Sequence, residues 1–234
     1  MQKNKPKIPV TILIHNKAIE ETTHVKYLGI LIDSKLTFKN HIDELKKKIS
    51  RSIGVLYKLR PFVTSKILSS VYYAIVYPFL LYGITVWGNA SKTFLTPIFI
   101  LQKKFVRMAT SNDGFPDIPG PLEHTTPLFH KLKILTIFDI YRLQLGKLVF
   151  ETLNNIGPPV IKFTLASEIH HHDTRHARNG SFHTKYVRTT QYGLKTLQNE
   201  GSLWSKIPYN IKNSLTKNYF NNCFKKYMVG TYSQ

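Results

Sequence analysis

The run His170-His171-His172-Asp173, with His176 and His183 close behind, contains residue types that could ligate a metal ion. Zinc sites, however, need ligands spaced so that they converge on one point. Three consecutive histidines cannot easily do so, and the single cysteine, Cys223, offers no help. The cluster therefore reads as a polar, partly protonatable segment facing nucleic acid, with no metal site expected. Carboxylate chemistry is equally sparse. The adjacent acids Glu20-Glu21 read as solvated charges near a strand edge, and no Asp-Asp pair occurs. Asp33 reads as a strand-end residue that fixes the turn into the next helix. Neither a Gly-rich phosphate loop nor a nucleophile elbow is present, so no catalytic residue is assigned. Cations remain as the candidate functional groups: Lys26 beside Tyr27, Leu28 and Gly29, then Lys47, Arg51 and Lys58, then Lys103, Lys104 and Arg107.

Their excess has a physical meaning. Across 234 residues there are 33 Lys and Arg against 13 Asp and Glu, a net charge of +20. Both ends are rich in it: residues 1–60 carry 13 basic and 5 acidic groups, residues 170–234 carry 10 and 2. A polyanionic partner is expected, because each neutralised phosphate releases counterions and favours binding. Hydrophobic content of 42% with 12% aromatics suffices for a core, which excludes wholesale disorder. The basic start lacks a following apolar stretch, which argues against a signal peptide. One cysteine excludes an internal disulfide and fits a reducing compartment. An intracellular location, nuclear or cytoplasmic, is the corresponding expectation.

These cations must be positioned by elements that the periodicity predicts. Residues 8–14 read as a strand, His15-Asn16-Lys17 as a turn, and a second extended stretch runs through Thr22-Thr23 into Val25–Asp33, giving a hairpin or three-stranded edge. Gly29 falls within that strand, where another backbone could approach closely. A helix from Asn40 to Arg60, closed by Pro61, presents Ile42, Leu45, Ile49, Ile53, Leu56 and Leu59 on one face and Lys47, Arg51 and Lys58 on the opposite one. Thr64 opens a second helix carrying Ile67, Leu68, Val71, Tyr72, Ile75, Val76 and Phe79. No charge lies between Lys66 and Lys92, so a membrane span competes with a buried bundle helix. Pro78, Gly83, four tyrosines and Ser69-Ser70 favour the bundle. A third helix covers Lys92 to Thr110, with Phe94, Ile98, Leu101, Phe105 and Met108 inward and Lys103, Lys104 and Arg107 outward. Residues 111–121 hold three prolines and two glycines and mark a loop and a domain boundary. Beyond it come helices near Pro127–Lys133, from Ile137 to Asn154 (burying Ile137, Tyr141, Leu145, Leu148 and Val149), and from Leu215 to Met228 (carrying Phe220, Phe224 and Tyr227). Gly157-Pro158-Pro159 stops the second of these. The expected class is α+β, mainly α: a small antiparallel hairpin, a helical bundle, and a basic, partly irregular C-terminal region.

Several blocks, in order, resemble one family. Lys26-Tyr27-Leu28-Gly29, Ile32-Asp33, Leu36-Thr37-Phe38 and His41-Ile42 come first. Pro61-Phe62, Tyr72-Tyr73, Tyr77-Pro78, Tyr82-Gly83, Val86-Trp87-Gly88-Asn89-Ala90 and Leu101-Gln102-Lys103-Lys104 follow. His172-Asp173-Thr174-Arg175, Leu203-Trp204-Ser205-Lys206-Ile207-Pro208 and Phe224-Lys225-Lys226 complete the series. Together they resemble reverse transcriptases of non-LTR (LINE-type, jockey-like) retrotransposons. Ser205 departs from the asparagine usual after the tryptophan. The resemblance implies that residues 1–38 are a distal palm hairpin with a primer-grip-like motif and 39–110 a helical thumb-like bundle. Residues 111–121 would then be a linker and 122–234 a helical, basic C-terminal extension.

In such a polymerase two metal ions held by clustered carboxylates carry the chemistry. The resemblance places those carboxylates upstream, on paired aspartates absent from this chain, so magnesium is implied only for the full-length enzyme. The chain is thus expected to grip RNA, DNA or an RNA–DNA hybrid beside the palm and fingers segment of a parent polymerase, and not to polymerise alone. By the same resemblance Tyr27, Leu28 and Gly29 would press on the primer, with Lys26 beside a phosphate. The alternatives are a domesticated, non-enzymatic RNA- or DNA-binding protein and, from another class, a membrane-associated protein using residues 67–91.

Overall fold

Two short hairpins precede the helices, and each is set by paired residues with positive φ. A computed structural model of the chain describes residues 12–111, 124–158, 161, 163–169, 182 and 201–233. Outside them lie residues 8–11 of the first expected strand, most of the 111–121 loop, Pro159, and the 170–176 cluster with His183. Strand β1 (Leu13–Ile14) pairs antiparallel with β2 (Lys17–Ala18) around His15 and Asn16, at φ 48° and 62°. Strand β3 (His24–Tyr27) pairs with β4 (Ile30–Asp33) around Leu28 and Gly29, at φ 45° and 80°. Positive φ at both central residues matches the right-handed twist of the flanking strands. The register sets His24 opposite Asp33 and Tyr27 opposite Ile30. The stretch Val25–Asp33 is therefore folded back on itself, which corrects the single strand expected there. Gly29 supplies a turn, and the two hairpins form separate two-stranded sheets.

Asp33 turns the chain into the first helix. Its carboxylate accepts the backbone N–H groups of Lys35 (3.1 Å), Thr37 (3.0 Å) and Phe38 (2.7 Å), and the Thr37 hydroxyl at 3.1 Å. Burial alone would raise its pKa, but these donors outweigh it and hold the carboxyl below the ordinary range. Helix α1 (Lys39–Leu59) then buries Ile42, Leu45, Ile49, Ile53 and Leu56 on the expected face, and Pro61 sits in the 3₁₀ turn that follows.

The charge-free run does not form one helix. It divides into α2 (Ser65–Ile75), α3 (Tyr77–Leu81) and α4 (Ile84–Trp87). Pro78 lacks the N–H needed to continue α2, and Gly83, at φ 60°, reverses the chain before α4. The second helix consequently ends before Phe79, and no described helix is long and apolar enough to cross a membrane. Helix α5 (Lys92–Thr110) packs on α1 through Ile98, Leu101, Phe105 and Met108, and Phe94 is only half-buried.

After α6 (Thr126–Leu132) comes α7 (Ile137–Leu153), which is buried around most of its circumference. Its neighbours explain that: α3, α4 and α5 pack against it, as do the 3₁₀ turn Gly201–Lys206 and the helix Lys217–Gly230. Leu148 is half-buried, whereas Ile140, Leu143 and Phe150 join the expected core residues. Short helices α8 (Ala166–Ile169) and α9 (Tyr209–Lys212) lead to α10 (Lys217–Gly230). Thr216 caps α10 by accepting the Tyr219 N–H at 3.2 Å, so Leu215 is outside the helix and 98% exposed. Tyr227 faces outward, while Phe220, Phe224, Met228 and Val229 are buried. One continuous hydrophobic cluster runs from Ile30 through Trp87, Phe105 and Phe150 to Val229.

Candidate nucleic-acid interface

The tip of the second hairpin is displayed and not sealed. Lys26 and Gly29 are exposed, Tyr27 is 63% exposed and Leu28 71%. An isolated two-stranded hairpin is marginal in water, so something must brace it. Tyr82 does so from the α3–α4 junction: its hydroxyl donates to the Leu28 carbonyl oxygen at 2.6 Å, and its ring lies beside Gly29. Gly83 next to it lets the hairpin approach, because a Cβ there would collide with the end of the Ile30 side chain. Behind them Trp87 is fully buried and donates from Nε1 to the Tyr82 carbonyl at 2.9 Å. In the sequence these braces stand out only as parts of longer blocks. The Tyr82–Leu28 contact spans 54 residues, beyond the reach of local patterns.

His41 completes the support. Its ring packs edge-on against Trp87, with centroids 5.7 Å apart, and Nδ1 accepts the Leu31 N–H at 3.4 Å. Desolvation lowers its pKa from the ordinary 6.5, opposed by Glu44 and assisted by Lys48. Above about pH 6.5 both folded and unfolded chains hold this imidazole neutral, so its contribution is complete there. As pH falls through 6.5 the unfolded chain takes the proton first, and stability is lost until the lower folded pKa is passed. Urea midpoints measured from pH 7.5 to 5 should fall more steeply for the native chain than for a His41→Gln variant, which keeps an acceptor but does not titrate. Parallel curves would show that His41 stays solvated.

The other candidate cations lie on two helices. Lys47, Arg51 and Lys58 are all exposed on the outer face of α1, opposite its buried residues, and among the described residues no carboxylate forms an ion pair with them. On α5, Lys104 is exposed and Arg107 half-buried. Lys103 is drawn in, its Nζ 4.7 Å from the centre of the Phe99 ring. The structure thus groups the α1 cations into one ridge and sets the hairpin tip and the α5 cations on separate elements. The sequence around the α1 ridge carries a further signal: from residue 45 to residue 112 the chain contains no Asp or Glu at all. Among the described residues no group of three or more His, Cys, Asp or Glu could hold a metal ion.

A hairpin tip braced by Tyr82 and a basic helix that bears no carboxylate after Glu44 are features suited to holding a polyanion. The proteins similar to this chain are RNA-directed DNA polymerases of mobile elements, which bears out the resemblance to jockey-like reverse transcriptases. It is 28% identical over 138 residues to a probable RNA-directed DNA polymerase from the transposon X-element of Drosophila melanogaster, a match covering 58% of this chain and 14% of that protein. The polymerase from the mobile element jockey of Drosophila funebris is 33% identical over 99 residues, covering 41% and 11%. A probable polymerase from the transposon BS of Drosophila melanogaster is 32% identical over 107 residues, covering 44% and 12%. The chain therefore matches only 11–14% of the length of these relatives. No protein-family model and no solved structure matches it.

Proposed function

We propose that this chain is the template–primer-holding part of an RNA-directed DNA polymerase of a jockey-like mobile element, and that it carries none of the metal-bound chemistry. The observation that carries this reading is the ridge of Lys47, Arg51 and Lys58 on a helix adjoining the displayed hairpin, in a stretch, residues 45–112, without a carboxylate. In this reading the hairpin is the palm's distal edge, residues 39–110 form the thumb, and Tyr27, Leu28 and Gly29 press on the primer while Lys26 meets a phosphate. The α5 cations Lys103, Lys104 and Arg107 add contacts to the phosphate backbone, Lys103 least of them. Such contacts position a duplex without reading its bases, since a phosphate carries no sequence information. The palm and fingers of the parent polymerase would supply the carboxylates and bind the magnesium ions. RNA–DNA hybrid is the partner that reverse transcription presents here.

The test is a fluorescence anisotropy titration of an RNA–DNA hybrid with the 234-residue chain at several salt concentrations. Affinity should fall steeply between about 50 and 200 mM salt and be alike for unrelated sequences. An affinity that ignores salt over that range would remove phosphate contact as the basis of binding.

A further inference from the structure

Gly54 is a glycine inside a helix body that no close neighbour requires. Among the other described glycines, Gly29 and Gly83 stand at positive φ, a Cβ on Gly88 or Gly146 would come within 3 Å of a neighbour, Gly157 and Gly201 are tightly packed, and Gly230, equally open, is the last residue of its helix. Gly54 is in the body of α1, has no positive φ, and a Cβ placed on it would meet nothing within 4 Å. A glycine in such a position costs roughly 0.5–1 kcal/mol relative to alanine.

Its surroundings say what could use the gap. At about 100° per residue Gly54 falls on the outer ridge with Lys47, Arg51 and Lys58. One turn to either side are Arg51 and Ser50, then Tyr57 and Lys58, and all four are exposed. The result is a recess in the helix surface with a cation at each end and a tyrosine ring, 64% exposed, at its wall. Arg51 and Lys58 are about 10 Å apart along the axis, one on each side of the recess.

We propose that the Gly54 recess seats one sugar–phosphate strand of a nucleic-acid duplex, with Arg51 and Lys58 on phosphates to either side and the Tyr57 ring against the sugar between them. This rests on the template–primer-holding function proposed above and adds to it a contact site at which the strand approaches the helix backbone. A convex polyanionic strand fits such a recess, and any side chain at position 54 would lift it away from both cations. A flexible acidic polypeptide could pair with the cations without entering the recess.

The experiment compares the 234-residue chain with Gly54→Ala, Gly54→Leu and Gly230→Ala variants. A labelled RNA–DNA hybrid is titrated by anisotropy, poly-glutamate is used as a second probe, and urea denaturation of each protein is measured alongside. Gly54→Ala should unfold at higher urea than the native chain yet bind the hybrid about tenfold more weakly, with Gly54→Leu weaker still. Gly230→Ala should bind like the native chain, and poly-glutamate should not distinguish any of the four. If the native chain binds in a salt-dependent manner but both Gly54 variants bind within about twofold of it, the recess is not a seat. Equal losses toward hybrid and poly-glutamate would overturn the proposal too. Absence of hybrid binding by the native chain would remove the proposed function itself, and the recess with it. Because Gly54→Ala is expected to gain stability, misfolding does not account for weaker binding by that variant.

Discussion

A Gln102→Leu chain should be about 4 kcal/mol less stable than the native one, with its thermal midpoint lowered by roughly 8–16 °C for a protein of this size. Gln102 is completely buried at the centre of α5 and makes three hydrogen bonds that no water can replace. Its Nε2 donates to the Tyr72 hydroxyl at 3.0 Å and to the Leu135 carbonyl at 3.1 Å, and its Oε1 accepts the Ile137 N–H at 2.7 Å. That last donor is one of the orphan N–H groups at the start of α7, so one helix caps another. Thr136 caps the same end locally and bonds to Asp139, which in turn accepts from the Tyr232 hydroxyl of the C-terminal 3₁₀ turn. Leucine fills the volume but leaves a carbonyl, an amide and a phenol buried without these partners, at about 1–3 kcal/mol each before relaxation.

Tyr72 supplies a check on the mechanism. Its pKa lies well above the ordinary phenol range because burial disfavours the phenolate, so it remains a neutral hydroxyl. Tyr72→Phe alone should cost about 1 kcal/mol, since Gln102 keeps two of its three bonds. Added to Gln102→Leu it should restore some stability by removing the orphaned hydroxyl. Urea denaturation of the four proteins measures this. Additive losses, or a Gln102→Leu cost below about 1 kcal/mol, would mean that the bonds are made to solvent in solution.

The contrast between α1 and these buried contacts shows what local patterns could convey. In α1 an apolar residue every three or four positions faces the core, and the cations of the same helix fall opposite, so element and ridge were legible together. The hairpin tip was not. Leu28 is no turn former by type, yet it stands at φ 45° with its carbonyl held by Tyr82, distant in sequence. Val25–Asp33 therefore reads as unbroken strand although the chain reverses in its middle. Pro78 was visible as a breaker, but the apolar run around it masked the break. For α7 the difficulty is different: a helix enclosed on several sides loses the one-faced period that marks amphipathic helices. Among the site residues, charge identified Lys103 and Lys104 equally. Only the three-dimensional position of Phe99 separates them.

That separation bears on the largest functional effect expected. Replacing Lys47, Arg51 and Lys58 together by alanine should lower RNA–DNA hybrid affinity on the order of 100-fold near 0.1 M salt, and reduce the slope of log affinity against log salt by about 2.7. Each lost phosphate contact removes about 0.9 from that slope, and three are lost. Binding should not vanish, because a net charge of +20 less 3 still attracts the polyanion without orienting it. Stability should change by no more than about 0.5 kcal/mol: the side chains are exposed, no described carboxylate forms an ion pair with them, and alanine favours the helix. A Lys103→Ala substitution should change the slope far less, since its ammonium is already engaged by Phe99. Anisotropy titrations of both variants over a salt series decide the matter. An unchanged slope in the triple variant would show that α1's ridge faces away from the duplex, leaving the hairpin tip to be tested as the grip.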